Sequence, residues 1–252
     1  MAARKVHGQK LPSKLPSRLP SKFHGQLPLD LPQAPALRRE DFLPAPANAS
    51  ALALIDAFPD WPAKVICLVG PAGAGKTHLA SIFAEAAGAP LLKAGDLTRP
   101  LVPLALASGA LVLEDLGEGA LDEAALFHLV NLAREQQAFL LITARAVPAS
   151  MTFSTADLAS RLRALPVVEI AAADDALLAA VLVKLFADRQ VTIDDATVSY
   201  LLQRIPRSVA GAQEIVAAID QAALAARRPV TRALAAQVLR ERADFPEGPD
   251  ED

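Results

Sequence analysis

The stretch Val65-Ile-Cys-Leu-Val69-Gly70-Pro71-Ala72-Gly73-Ala74-Gly75-Lys76-Thr77-His78-Leu79 decides the fold. Its first five residues are apolar and partly β-branched, which predicts a buried strand. The next eight match G-x-x-x-x-G-K-[ST] in full. Glycines in that pattern let backbone N–H groups turn inward around a phosphate. Lys76 is placed to reach the β- and γ-phosphate oxygens, and the Thr77 hydroxyl to ligate Mg²⁺. A helix is predicted from Lys76 to about Ala87, stopping near Gly88-Ala89-Pro90, and its positive end adds to the attraction for anions. A strand before and a helix after are the context this motif requires, so a bound nucleoside di- or triphosphate is expected.

Working outward, further short apolar runs are predicted as strands at 91–94, 110–113, 139–143 and 167–170, with a helix over about 122–137 capped by Asp122. Strand and helix alternate. The fold class expected is therefore α/β, a parallel sheet with helices on both faces. After residue 172 no strand pattern recurs. Residues 174–190, 194–205, 208–226 and 231–242 each open on a capping residue and carry helical apolar spacing, which predicts a small all-helical unit. The domain reading is a nucleotide-binding unit over 41–172, a helical unit over 173–242, and an acidic frayed tail over 243–252.

The site needs more than the loop. A phosphate-loop enzyme requires a carboxylate at a neighbouring strand end to hold Mg²⁺, and often a second to orient water. Glu114-Asp115 follows the run at 110–113 and fits that need; an acidic pair can also merely end a strand. Thr143 ends the next strand, at the sheet edge where ligands bind. Its hydroxyl either approaches the γ-phosphate or simply terminates the strand. Arg161 and Arg163 lie in a short predicted helix, as phosphate-reaching cations or as solvated surface charges.

Bulk numbers bound the rest. The chain has 252 residues, 52% hydrophobic and 21% charged, with a net charge of −3. That is a globular composition, and it argues against a general nucleic-acid-binding surface. No uninterrupted apolar run reaches membrane-spanning length, and no apolar segment follows the basic start as in a secretory leader, so a cytosolic protein is expected. Cys67, the single cysteine, lies in an apolar run and reads as a buried small hydrophobe. Residues 1–25 hold six Lys or Arg and no acid, with a repeated Leu-Pro-Ser-Lys/Arg unit, and read as disordered or extended. A helix near 48–58 is expected to be capped by Asn48 or Ser50.

Taken together, these residues resemble the DnaA-related AAA+ ATPases, and more closely the shortened Hda branch of that family, the regulatory inactivators of the replication initiator DnaA. The likeness spans about residues 26–240. In that resemblance Gly70, Pro71, Ala72, Gly73, Ala74, Gly75, Lys76, Thr77 and His78 hold ADP or ATP. Phe42, Leu43 and Asn48 belong to the segment that closes over the adenine. Thr77 and Glu114 ligate Mg²⁺. Glu114-Asp115 takes the Walker B place and Thr143 the sensor I region. Arg161, in Ala159-Ser160-Arg161-Leu162, resembles the arginine finger that acts on a neighbouring subunit's nucleotide. The terminal helices resemble the AAA+ lid.

The extended segment 26–40 begins with Gln26-Leu27-Pro28-Leu29-Asp30-Leu31, which resembles the clamp-binding hexapeptide of Hda proteins. Gln26, Leu27, Leu29 and Leu31 would bind the sliding clamp, the polymerase beta subunit. The initiator's helix-turn-helix domain has no counterpart after residue 239, so no direct sequence-specific DNA binding is expected. Two departures stand out. The acidic order is Glu-Asp where many relatives have Asp-Glu, and Ala210 stands where the lid arginine of sensor II is expected, with Arg207 one turn earlier as a substitute. The resemblance implies a negative regulator of replication initiation, with clamp and DnaA as partners and a homodimer left open. It also implies weak hydrolysis by the chain itself. A self-sufficient ATPase such as a helicase loader, and a nucleotide-binding scaffold, are the alternatives.

Overall fold

The computed structural model describes residues 37–242. Along the chain run α1 (Ala49–Asp56), β1 (Val65–Val69), α2 (Lys76–Ala87), β2 (Leu91–Lys93), α3 (Val102–Ala105), β3 (Ala110–Leu116), α4 (Glu123–Glu135), β4 (Phe139–Ala144), α5 (Ala156–Arg163), β5 (Val167–Glu169), α6 (Asp175–Ala187), α7 (Asp195–Leu202), α8 (Val209–Ala226) and α9 (Arg232–Glu241). The strands form one parallel sheet in the order β2-β3-β4-β1-β5. Parallel neighbours need crossovers, and the intervening helices supply them on both faces.

Residue alternation along β1 divides the core. Val65, Cys67 and Val69 point into one apolar layer with Leu126 and Leu129 of α4 and Leu158 and Leu162 of α5. Ile66 and Leu68 point into the other, with Leu52 and Ile55 of α1 and Leu79, Ile82 and Phe83 of α2. All five residues of β1 are buried, so the phosphate-binding motif grows out of the best-packed strand. Cys67 is fully buried and its thiol is pushed up to about 12 by desolvation, which agrees with a small hydrophobe.

The helices α6–α9 enclose a third cluster around Leu178, Phe186, Leu201, Ile215 and Ile219. Each starts where the sequence places a cap. Asp174 accepts from the Leu177 N–H, Asp194 from Thr197, Ser208 from Gly211 and Thr231 from Leu234.

Two local expectations need correction. β3 continues to Leu116, so Glu114 and Asp115 lie within the strand rather than beyond it. The register against β4 slips between Leu113 and Leu116, and Asp115 sits at φ 61°, as at a bulge. Asn48 occupies the N-cap position of α1 without capping it: its Oδ1 accepts from the Ala45 N–H and its Nδ2 donates to the Leu43 carbonyl. The four-residue α3 was not foreseen, because so short an element leaves no periodicity. The repeat at 1–25, the hexapeptide at 26–31 and the tail at 243–252 lie outside the described residues. Among the described residues no helix is long and apolar enough to cross a membrane.

Phe83 anchors the α2 layer. It is fully buried, stacked on Trp61 at 4.5 Å between centroids and edge-on to Phe58 at 5.3 Å. Phe83→Ala is expected to cost about 3–5 kcal/mol of unfolding free energy. Urea denaturation with an unchanged slope measures it, and a loss under about 1 kcal/mol contradicts this packing.

Candidate nucleotide site

β1 delivers the loop to the carboxyl edge of the sheet, where the Gly70 N–H bonds the carbonyl of Ala144 at 3.2 Å. Gly73 and Gly75 take left-handed φ values of 69° and 100°. Gly75 is the N-cap of α2 and no side chain caps that helix, so its first-turn N–H groups are free of side-chain competition for an anion. The glycines also permit close approach. A Cβ on Gly75 would lie 3.3 Å from the Phe42 ring. One on Gly73 would lie 2.8 Å from the Ser208 Cβ and 3.0 Å from the Ala210 Cβ. The Val209 N–H donates to the Gly73 carbonyl at 3.0 Å. The first turn of α8 therefore rests on the phosphate loop itself.

Lys76 is buried at 8% exposure, and its Nζ donates to the carbonyls of Gly70 at 2.7 Å and Pro71 at 2.9 Å. Burial lowers its pKa, and the nearby Arg145 lowers it further. Asp115, Glu118 and Glu114 oppose both. The amine is thus folded onto its own loop, beside four charged side chains.

Thr77 and Glu114 come together. Burial raises the Glu114 carboxyl above its ordinary range, and a hydrogen bond with Thr77 opposes the rise. Its Oε1 is buried with no hydrogen-bond partner. A buried, partnerless carboxylate oxygen beside a helix-start hydroxyl suits a hard cation. Among the described residues no three His, Cys, Asp or Glu side chains gather as a metal cage. Mg²⁺ in nucleotide sites needs none, because phosphate and water supply most ligands. The site therefore fits a Mg-nucleotide, with Thr77 and Glu114 as the protein's oxygens.

Thr143 is almost fully buried, one residue short of the end of β4, and its Oγ1 accepts the Asp115 N–H at 3.1 Å. Neither sequence reading included this role: the hydroxyl fixes the bulged acidic end of β3. The segment ahead of α1 closes the other side. The Phe42 ring is buried and edge-on to His78 at 5.1 Å, and the His78 Nε2 meets the Arg38 carbonyl at 2.8 Å. Leu43 packs against the four-helix unit, and Asp41 pairs with Lys184 of α6 at 2.8 Å. Asn48 is buried, and both ends of its amide hold the turn at 43–48, so it shapes this segment.

The remaining candidates sit elsewhere. Arg161 lies over the Phe127 ring of α4 at 5.0 Å, and Arg163 is exposed. Ahead of that helix, Glu123 accepts the Ser154 N–H at 2.8 Å and its hydroxyl at 3.0 Å, fixing the approach to α5. Arg207, the substitute considered for the lid arginine, pairs with the exposed Asp175 of α6. Sequence reasoning missed Arg145 and Glu118, which pair beside Lys76. The available signal was position: Arg145 is the first residue past β4, on the ligand-facing edge.

Gly73→Ala is expected to weaken binding of labelled ADP by roughly tenfold or more, since a Cβ there both strains a left-handed residue and collides with α8. Unchanged affinity in a fluorescence titration contradicts this geometry.

Residues 175–239 match the family described as Hda, lid domain. No curated protein matches the chain. The structure of domain III of the Thermotoga maritima replication initiation protein DnaA aligns with a TM-score of 0.70 at 15% identity, over 82% of this chain and 97% of that one. AMPPCP-bound DnaA from Aquifex aeolicus aligns at 0.62 and 18% identity, over 73% of this chain and 65% of that one. The RuvB Holliday junction branch migration motor of Thermotoga maritima aligns at 0.61 and 17% identity, over 76% and 66%. Residues 175–239 of the four-helix unit thus match the Hda lid family, and the chain has the AAA+ fold seen in these DnaA and RuvB structures.

Proposed function

We propose that this chain is a negative regulator of chromosomal replication initiation that holds an adenine nucleotide as a signal and stimulates ATP hydrolysis by DnaA. The observation that carries the reading is the contact between α8 and the phosphate loop. The segment matching the Hda lid is seated through Val209, Ser208 and Ala210 on Gly73. A nucleotide in the loop then sets the lid's position directly. Mg²⁺ bound with the nucleotide supplies electrostatic stabilisation of phosphate charge. Lys76 and the first turn of α2 hold the phosphates, Thr77 and Glu114 orient the cation, and Thr143 fixes Asp115 through its backbone.

In this reading Arg161 acts outward. Its guanidinium is carried on α5 over Phe127, on a helix whose approach is fixed by Glu123. That rigid mounting suits a finger presented to DnaA's nucleotide, where added positive charge lowers the barrier to phosphoryl transfer. The hexapeptide at 26–31 brings the chain to the DNA-loaded sliding clamp, where Leu29 and Leu31 enter an apolar pocket and Gln26 a polar one. The chain works in the cytosol, reaching the nucleoid through the clamp, as a monomer or a homodimer.

A self-sufficient ATPase is favoured by one observation: Lys76, Thr77, Glu114 and Asp115 are gathered at one site. Turnover by the purified chain alone, lost on Glu114→Gln, supports that second reading.

Arg161→Ala is expected to lower stimulated hydrolysis by DnaA, with clamp and DNA present, by about 10³-fold or to background, while ADP affinity is retained. Unchanged stimulation removes the finger from Arg161. Gln26→Ala with Leu29→Ala is expected to abolish retention on immobilised clamp; equal retention of variant and wild type removes the clamp from the account.

A further inference from the structure

Arg145 is the first residue past β4, at the carboxyl edge of the sheet. β4 ends at Ala144, in register with Val69 at the end of β1, and the Ala144 carbonyl holds the Gly70 N–H. Arg145 therefore leaves the sheet level with the start of the phosphate loop. Together with Gly70, Pro71 and Glu169 it lines a cavity of about 320 Å³ at the foot of that loop. Its charge and that of Glu118 both act on the Lys76 amine, from opposite signs.

Glu118 grips Arg145 with both oxygens, one of the bonds being Nη2 to Oε2 at 2.8 Å. Glu118 stands just past β3, in the turn closed by its own N–H on the Asp115 carbonyl. The pair therefore bridges two strand ends on the ligand-facing edge. It is an open pair, with side chains 58% and 34% exposed, so an incoming ligand's oxygens can reach the guanidinium. A guanidinium fits phosphate oxygens with the same fork geometry it uses on a carboxylate. On the lid side the residue facing the loop at Gly73 is the uncharged Ala210.

We propose that Arg145 reads the terminal phosphate of a nucleoside triphosphate, leaving Glu118 to do so, and that Glu118 is the internal competitor that holds it in reserve. This rests on the nucleotide-binding reading of the site and assigns the residue that separates triphosphate from diphosphate. With a diphosphate in place Arg145 stays on Glu118. With a triphosphate the exchange frees the turn after β3, beside Asp115.

The test is a pair of titrations of the full chain with Mg²⁺, one with AMPPCP and one with ADP, for wild type, Arg145→Gln and Glu118→Gln. Arg145→Gln is expected to lose about tenfold in AMPPCP affinity while ADP affinity holds. Glu118→Gln is expected to tighten AMPPCP several-fold and leave ADP alone. An unchanged AMPPCP-to-ADP ratio in Arg145→Gln overturns the proposal, and so does an equal loss for both ligands, which marks a structural role. Wild type that binds neither ligand overturns the nucleotide reading itself, and this assignment with it.

Discussion

The contact between the phosphate loop and the first turn of α8 is the constraint on which the rest depends. Gly73 has no room for a Cβ because Ser208 and Ala210 lie against it, and its carbonyl is held by Val209. The loop itself is fixed from below by β1, the fully buried strand that belongs to both apolar layers. A single glycine therefore joins the sheet's rigid centre to a four-helix unit with its own core. The segment at 41–48 closes the same joint from another side, with Phe42 over Gly75 and Asp41 on Lys184.

The acidic end of β3 is built for restraint as much as for chemistry. A bulge turns Asp115 to a positive φ, and Thr143 holds its N–H in place. Glu114 keeps one oxygen buried and unpaired, a cost that a bound cation would remove. These groups stand together at the phosphate loop, while Arg161 is mounted on a separate helix against Phe127. That division is what the proposed function requires, with the nucleotide as a signal and Arg161 serving a partner.

Much of this was legible in the sequence, for identifiable reasons. The strand–loop–helix at 65–87 has a motif whose glycines and lysine admit few other structures, and α2 ends where Gly88 predicts. The four caps at Asp174, Asp194, Ser208 and Thr231 gave the lid helices their starts. What stayed hidden were contacts between distant residues. The bulge at Asp115 depends on a hydroxyl 28 residues away, and the Arg145–Glu118 pair spans 27. Asn48 looked like a cap because its position is right; only the fold shows its amide turned back to Ala45 and Leu43. The α8 contact left only a trace, a glycine inside a motif that already explains glycines.

The most direct measurement of the central claim, that nucleotide in the loop is felt by the lid, is amide hydrogen exchange with and without Mg-ADP. The account predicts that peptides covering 70–77 and 207–212 change protection together, over the same nucleotide concentrations. A change confined to the loop, or none in either segment, would contradict it.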